Sequence, residues 1–267
     1  MNGNREMPRR TGLARAISKL GFCSRSQAFD LIRNRRVRLN GRVMCDPEKP
    51  VQPGKDRIQV DGNQITEARK VYLMLNKPRG FVTTASDEKG RKTIYSLLPE
   101  QKDWVAPVGR LDMASEGLLL LTNDSEWGAR IASPEAHVEK TYHVQVGVVA
   151  CDELLVRLRQ GISIDGDSLA VKRAGILRHS EKNSWLELVL EEGRNRHIRR
   201  MLGGLGIEVL RLVRVAIGPL ELGDLPKGKT RRLSEKEIRS VGSGNSLIGK
   251  RRAATPVAPQ SIHYNSS

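Results

Sequence analysis

In VGRLDMASEGLLLLTND (Val108–Asp124) an aspartate stands just ahead of four leucines, with Arg110 before it and Glu116 after it. An Asp in a loop entering a strand is most often a turn or cap residue, and Asp112 can be read that way. The run Leu118–Leu121 reads as a fully buried strand, however, so a carboxylate at its mouth has to be paired or neutralised. Such pairing can be purely structural. It can also keep a carboxylate ionised, dry and oriented, as a nucleophile or a base requires. Glu116 is expected to be structural or to pair with Arg110.

Two further segments carry residues that could meet such a carboxylate. Tyr142, in VEKTYHVQVGVV, is either an ordinary strand aromatic or a ring on which a base stacks. The chain has four Tyr and three Phe, so an extended stacking platform is excluded and one or two rings at a single site remain possible. EEGRNRHIRRM (Glu191–Met201) places Arg194, Arg196, Arg199 and Arg200 around the start of a helix. A solvated basic face is the common reading. Arginine at a strand-to-helix turn can also aim its planar fork at a carboxylate or a phosphate. The segment LGGLG lacks the strand–GxGxxG–helix context of a dinucleotide site, and no phosphate loop is present, so no cofactor is expected.

Charge narrows the partners. Lys and Arg outnumber Asp and Glu by 46 to 30 in 267 residues, a formal net charge of +16. A field of that sign favours polyanions, nucleic acid above all. The absence of a long apolar run speaks against a membrane protein, and MNGNREMPRR has no apolar core of a signal peptide. Cys23, Cys45 and Cys151 are widely spaced and odd in number, which fits reduced thiols in the cytoplasm and neither a disulfide frame nor a zinc site.

The elements that must position these residues fall into two units. Residues 12–62 read as a small module. In it LARAISKLG is one helix ending at Gly21, Ser24-x-x-Gln27 has capping-box form for a second, and VRLNGRV is a hairpin turning at Asn-Gly. Residues 63–70 read as a linker. From 71 to 241, VYLMLNKP, GFVTTA, WVAPV and GLLLLT read as strands, and Asn123-x-x-Glu126 is expected to cap a short helix. VEKTYHVQVGVV, LAVKRAGILR, SWLELVLEE and IEVLRLVRVAIG read as further strands. CDELLVRLRQGI and RNRHIRRMLGGLG read as helices, and TRRLSEKEIRSV as strand into helix. Strands and helices without regular βαβ alternation imply an α+β fold with a mixed, mainly antiparallel sheet and flanking helices. Residues 242–267 read as a disordered basic tail.

NKPRG (Asn76–Gly80), VGRLDMASEGLLLLTND, EKTYHVQV and EGRNRHIRRM occur in the order seen in bacterial ribosomal RNA pseudouridine synthases. The chain resembles the branch that holds the small-subunit enzyme and its large-subunit relatives. LGFCSRSQAFDLI and VRLNGRV resemble the RNA-binding domain named after ribosomal protein S-four. The resemblance implies that Asp112 is the catalytic aspartate, that Tyr142 packs against the target base and that Arg194 pairs with Asp112. Whether Asp112 attacks the sugar, attacks the base or removes a proton is left open. Expected RNA contacts are Arg15, Lys19, Ser24, Arg25, Arg35, Arg36 and Asn40 in the module. Arg110, Lys140, Arg196, Arg199 and Arg200 are expected to add to them from the larger unit. Ser115, Ser125, His197 and Arg35 stand where the pattern more often has Thr, Gly, Gln and Gly. The expected partner is ribosomal RNA, bound by a monomer. A large-subunit uridine is the expected target, with a small-subunit site or a non-catalytic assembly factor as alternatives.

Overall fold

Asn40 and Gly41 both hold positive φ, 51 and 83, the conformation of the two central residues of a type I′ hairpin turn. They join strands β2 (Val37–Leu39) and β3 (Arg42–Met44) in a computed structural model that describes residues 11–242 except Pro53, Ser86 and Lys102. The tail expected beyond Gly242 lies outside the described residues. A two-residue β1 (Thr11–Gly12) precedes helix α1 (Leu13–Lys19) and pairs with β4 (Pro50–Val51). Helix α2 (Arg25–Arg33) opens on the expected capping box: Gln27 N–H donates to Ser24 Oγ at 3.1 Å and Ser24 N–H to Gln27 Oε1 at 3.0 Å. Strands β5 (Ile58–Val60) and β6 (Asn63–Gln64) complete a sheet of order β3-β2-β5-β6. Leu13, Ile17, Ala28, Ile32, Val37, Ile58 and Val60 form its core, which is the apolar face that the helical spacing sets out.

The larger unit is built on a nine-stranded sheet. Its elements begin with β7 (Tyr72–Lys77), β8 (Ala106–Val108), β9 (Glu116–Thr122), α3 (Ser125–Ala132) and β10 (Lys140–Val146). Helix α4 (Asp152–Gln160) and a hairpin of β11 (Ile162–Ile164) and β12 (Asp167–Leu169) follow, then β13 (Arg173–His179) and β14 (Ser184–Leu190). The chain continues through α5 (His197–Gly204), β15 (Val209–Ile217), β16 (Leu220–Glu221), β17 (Thr230–Arg232) and α6 (Glu235–Gly242). The sheet order is β13-β14-β10-β15-β9-β7-β17, with β16 on β15 and β8 on β9. All its pairings are antiparallel except β9 with β15, where Glu116 faces Val213 and Gly117 faces Arg214. This is the expected mixed, mainly antiparallel α+β architecture.

Helices α3 and α6 cover one face through Trp127, Ile131 and Val241 against Leu118 and Leu120. On the other face α4 and α5 pack Leu155, Leu158, Ile198 and Met201 against Val144, Leu186 and Leu188. Among the described residues no helix is long and apolar enough to cross a membrane.

Three local expectations change. GFVTTA forms no strand: its ladder is the single Val82–Thr93 bridge, and its Thr83 hydroxyl donates to the Leu111 carbonyl. LAVKRAGILR divides into β12 and β13. Asp124, not Asn123, caps α3: its carboxylate accepts from Glu126 N–H at 3.1 Å and Trp127 N–H at 3.0 Å. Asn123 is occupied in the core, where it accepts from Val71 N–H and donates to the Arg69 carbonyl. The two units touch where Ala68 N–H donates to the Leu20 carbonyl at 2.8 Å and Lys19 meets Glu126 at 3.0 Å.

Candidate active site

The loop from β8 to β9 places Asp112 on a turn closed by Ser115 N–H donating to the Asp112 carbonyl at 2.9 Å. The residue before it is the anchor. Leu111 is buried in the cluster of Leu73, Leu75, Leu119 and Leu121, and Thr83 Oγ donates to its carbonyl at 2.6 Å. Gly80 N–H holds the Met113 carbonyl at 2.7 Å. The turn is thereby fixed to the sheet on its apolar side, while Asp112 itself stays half-buried.

Two cations brace this turn. Lys77, at the end of β7, is fully buried and donates from Nζ to the carbonyls of Ser115 at 2.8 Å, Asp112 at 2.9 Å and Pro78 at 3.2 Å. Burial lowers its pKa to about 8, against the pull of Asp112 and Glu116 and with the help of Arg214. Arg199, in the first turn of α5, donates from Nη2 to the Ala114 carbonyl at 3.1 Å and from Nη1 to Val209 at 3.2 Å. Burial, with Arg196 adding to it, pulls its pKa down and the charge of Asp112 pulls it up, so the guanidinium and the carboxylate act on each other.

The pairing of Arg194 with Asp112 is not formed. Arg194 Nε donates to Glu192 at 3.0 Å, and Nη1 donates to the Ser168 carbonyl at 3.1 Å. The cause is where α5 begins. Arg196 sits at φ 49 and N-caps a helix that starts at His197, so Arg194 remains in the loop beside the β11–β12 hairpin. Arg200 is also turned to that hairpin, at 2.8 Å from Asp167. Of the four arginines in the block, Arg199 is the one that reaches the Asp112 turn.

Tyr142 comes to the same place from β10. It is half-buried and packs against the cluster that holds Leu111 as well as the α4–α5 core, and it lies opposite Leu188 and Arg214 in the sheet. Lys140 donates to the Glu191 carbonyl at 3.2 Å, and burial with the nearby charge of Arg214 lowers its pKa. Glu116 does not pair with Arg110. Arg211 holds it through two hydrogen bonds, at 2.8 and 3.1 Å, and Lys227 through a third contact. Burial pushes the Glu116 carboxyl up, but these cations outweigh it and hold the pKa at about 2. Arg110 is exposed at the mouth of the loop, and Arg196 is exposed before α5.

In the N-terminal module several expected RNA contacts have structural partners. Ser24 caps α2, Lys19 bridges to Glu126, Arg25 meets Glu48 at 3.1 Å and lies over the Phe29 ring, and Arg36 binds Asp61. Asn40 Nδ2 donates to Asp56 at 2.9 Å. Arg15 and Arg35 are exposed, Arg35 at φ 57. Sequence reasoning passed over Lys77 and Arg214 altogether. The available signal was a lone charge inside an apolar strand, in YLMLNK and LVRVAI.

Comparison with known proteins gives the family. The RNA pseudouridylate synthase family model matches residues 71–203, and the S4 domain model matches residues 11–58. An uncharacterized RNA pseudouridine synthase of Aquifex aeolicus (strain VF5) is 40% identical over 226 residues, 84% of this chain and 91% of the relative. Ribosomal large subunit pseudouridine synthase B of Bacillus subtilis (strain 168) is 36% identical over 231 residues, 86% of this chain and 94% of the relative. A solved pseudouridylate synthase superposes with a TM-score of 0.61 at 31% identity, covering 86% of this chain and 99% of its own. With its aspartate turn, strand tyrosine and helix arginine gathered on one face of the sheet, the chain belongs to the RNA pseudouridylate synthase family and carries an S4 domain at its N-terminal end.

Proposed function

We propose that this chain isomerises one uridine of ribosomal RNA to pseudouridine, and that the uridine lies in the large subunit. The observation that carries the reading is the half-buried Asp112 on a turn braced by Lys77 and Arg199, next to Leu111 of the cluster against which Tyr142 packs. The Bacillus relative, named for the ribosomal large subunit, supports the choice of RNA.

The reaction breaks the N1–C1′ bond, turns the base and joins C5 to C1′. Nothing is lost, so no energy source is required. A carboxylate that attacks the sugar, attacks the base or removes a sugar proton must be ionised before the nucleotide arrives. Lys77 and Arg199 hold the backbone of the turn that carries Asp112, which fixes where the carboxylate meets the nucleotide. Tyr142 offers its ring to the base, and the target nucleotide has to leave its helix to reach it. The S4 domain grips a neighbouring RNA element through shape and phosphate contacts, with Arg15 and Arg35 available on its surface. The protein acts as a monomer in the cytoplasm.

The test is release of tritium from uracil C5 in transcripts of each ribosomal subunit's RNA, with wild type and Asp112→Asn side by side. Release by wild type alone, from large-subunit RNA, is the expected result. Release from small-subunit RNA moves the target. Binding without release from either RNA supports a non-catalytic assembly factor instead, and release by both proteins means that another acid does the chemistry.

A further inference from the structure

Arg214 lies in the middle of β15 and is 5% exposed. A guanidinium keeps its proton in any protein environment, so this is a buried positive charge. Its Nε donates to the Leu118 carbonyl at 2.8 Å. Among the described residues its Nη2 is shielded from solvent and has no hydrogen-bond partner, and no carboxylate forms an ion pair with it. Its charge helps to lower the pKa of both Lys77 and Lys140, so three cations lie close together here. A buried cation without a counter-ion destabilises the fold.

Its placement is nonetheless tightly fixed. Arg214 pairs in parallel register with Gly117, which stands at φ 102, and a Cβ there would lie 2.2 Å from the Arg214 carbonyl oxygen. Across the other edge of β15 its register partner is Tyr142, so the two side chains rise from one face of the sheet as neighbours. Arg214 also falls outside residues 71–203, the part matched by the family model.

We propose that Arg214 is the counter-ion of the uracil anion formed during the reaction. The inference rests on the pseudouridine synthase reading. When the N1–C1′ bond breaks, its electron pair stays on the base and is shared by N1, O2 and O4. After rotation a pair from C5 forms the C5–C1′ bond, the proton on C5 leaves to solvent and N1 takes one up, so no atom or charge is gained or lost. Asp112 is itself an anion and cannot stabilise another. Lys77 is committed to three carbonyls, and Arg199 spends both terminal nitrogens on the carbonyls of Ala114 and Val209, with its buried Nε unpartnered among the described residues. Arg214 stands beside the ring of Tyr142 with hydrogen-bonding capacity unused. A donor of this kind binds the charged base more strongly than the neutral one, which is the condition for raising the rate rather than the affinity.

Arg214→Gln and Arg214→Lys both keep a donor for the Leu118 carbonyl. Their single-turnover tritium release from large-subunit RNA is to be compared with wild type, alongside the dissociation constant for the same transcript and thermal melting. The expected result is an affinity within about threefold of wild type, with the rate of the Gln variant down by about 100-fold or more and the Lys variant between. A folded Gln variant with a rate within threefold of wild type overturns the proposal, and so does a loss confined to affinity. Should neither variant fold, wild type crystallised with saturating uridine 5′-monophosphate decides. An Nη nitrogen within hydrogen-bond distance of uracil O2 or O4 supports the role, and a base elsewhere or no base at this site removes it. If wild type releases no tritium from either RNA, the pseudouridine reading itself has failed.

Discussion

Arg199 Nη2 donates to the carbonyl of Ala114, two residues after Asp112, whereas Arg194 turns away to Glu192 and Ser168. The choice between two arginines of one basic run is made by the helix. Starting at His197, α5 directs Arg199 toward β9 and β15 and leaves Arg194 in the preceding loop.

Arg199→Gln is therefore expected to lower single-turnover tritium release by about 100-fold or more, while Arg194→Gln stays within about fivefold of wild type. The reverse ranking would mean that the loop, and not the helix, supplies the site.

Lys77 links the Asp112 turn to pH. The unfolded side chain titrates near 10.5 and the folded one at about 8, so between these values the unfolded chain holds more protons. Raising pH through that window favours the folded state, and below it the buried charge is at its full cost. Lys77→Met removes the titration. Stability of wild type relative to this variant, from denaturant melts, should rise by about 1–3 kcal/mol between pH 8 and 10.5. A difference that stays level across the window would mean that Lys77 is not desolvated.

Glu116 has the opposite sign. Its folded pKa of about 2 lies below the ordinary 4.5, so its contribution is complete above pH 4.5 and disappears as pH falls through 2. Glu116→Gln should cost about 2 kcal/mol at pH 7, less than for a fully buried pair because Arg211 and Lys227 are partly in water. The gap between variant and wild type should close near pH 2, and a gap unchanged there would assign the cost to packing.

Gly117→Ala combines a positive φ with a methyl group driven into the Arg214 backbone. The expected loss is on the order of 3 kcal/mol, read as a fall in melting temperature. A variant as stable as wild type would show that the β9–β15 crossing is looser than described.

What could be read from the sequence was local. The Asn40-Gly41 turn, the Ser24–Gln27 capping box and the run Leu118–Leu121 each declare themselves within a few residues, and the polar lead-in to those leucines already marked Asp112. What escaped depends on contacts far apart in the chain. Nothing near Arg196 announces the positive φ that delays α5, so the arginine was misassigned. Asn123 had the right spacing for a cap, but Val71 and Arg69, some fifty residues earlier, claimed its amide. Lys77 and Arg214 lie inside apolar strands, and only the assembled sheet shows that Lys77 holds the Asp112 turn while Arg214 is buried on the Leu118 carbonyl.

The single parallel pairing in the sheet also sets an order in time. Leu118 and Arg214 are 96 residues apart, and no hairpin can bring β9 and β15 together. At a ribosomal pace of 5–20 residues per second, β9 emerges roughly 5–20 s before its parallel neighbour exists. During that interval β7 and β8 can pair with it, but Arg199 and Arg214 have not yet been made. The nascent chain thus holds Asp112 and Lys77 well before Arg199 and Arg214. In a protein whose proposed substrate is the ribosome's own RNA, the site is assembled only once β15 has been made.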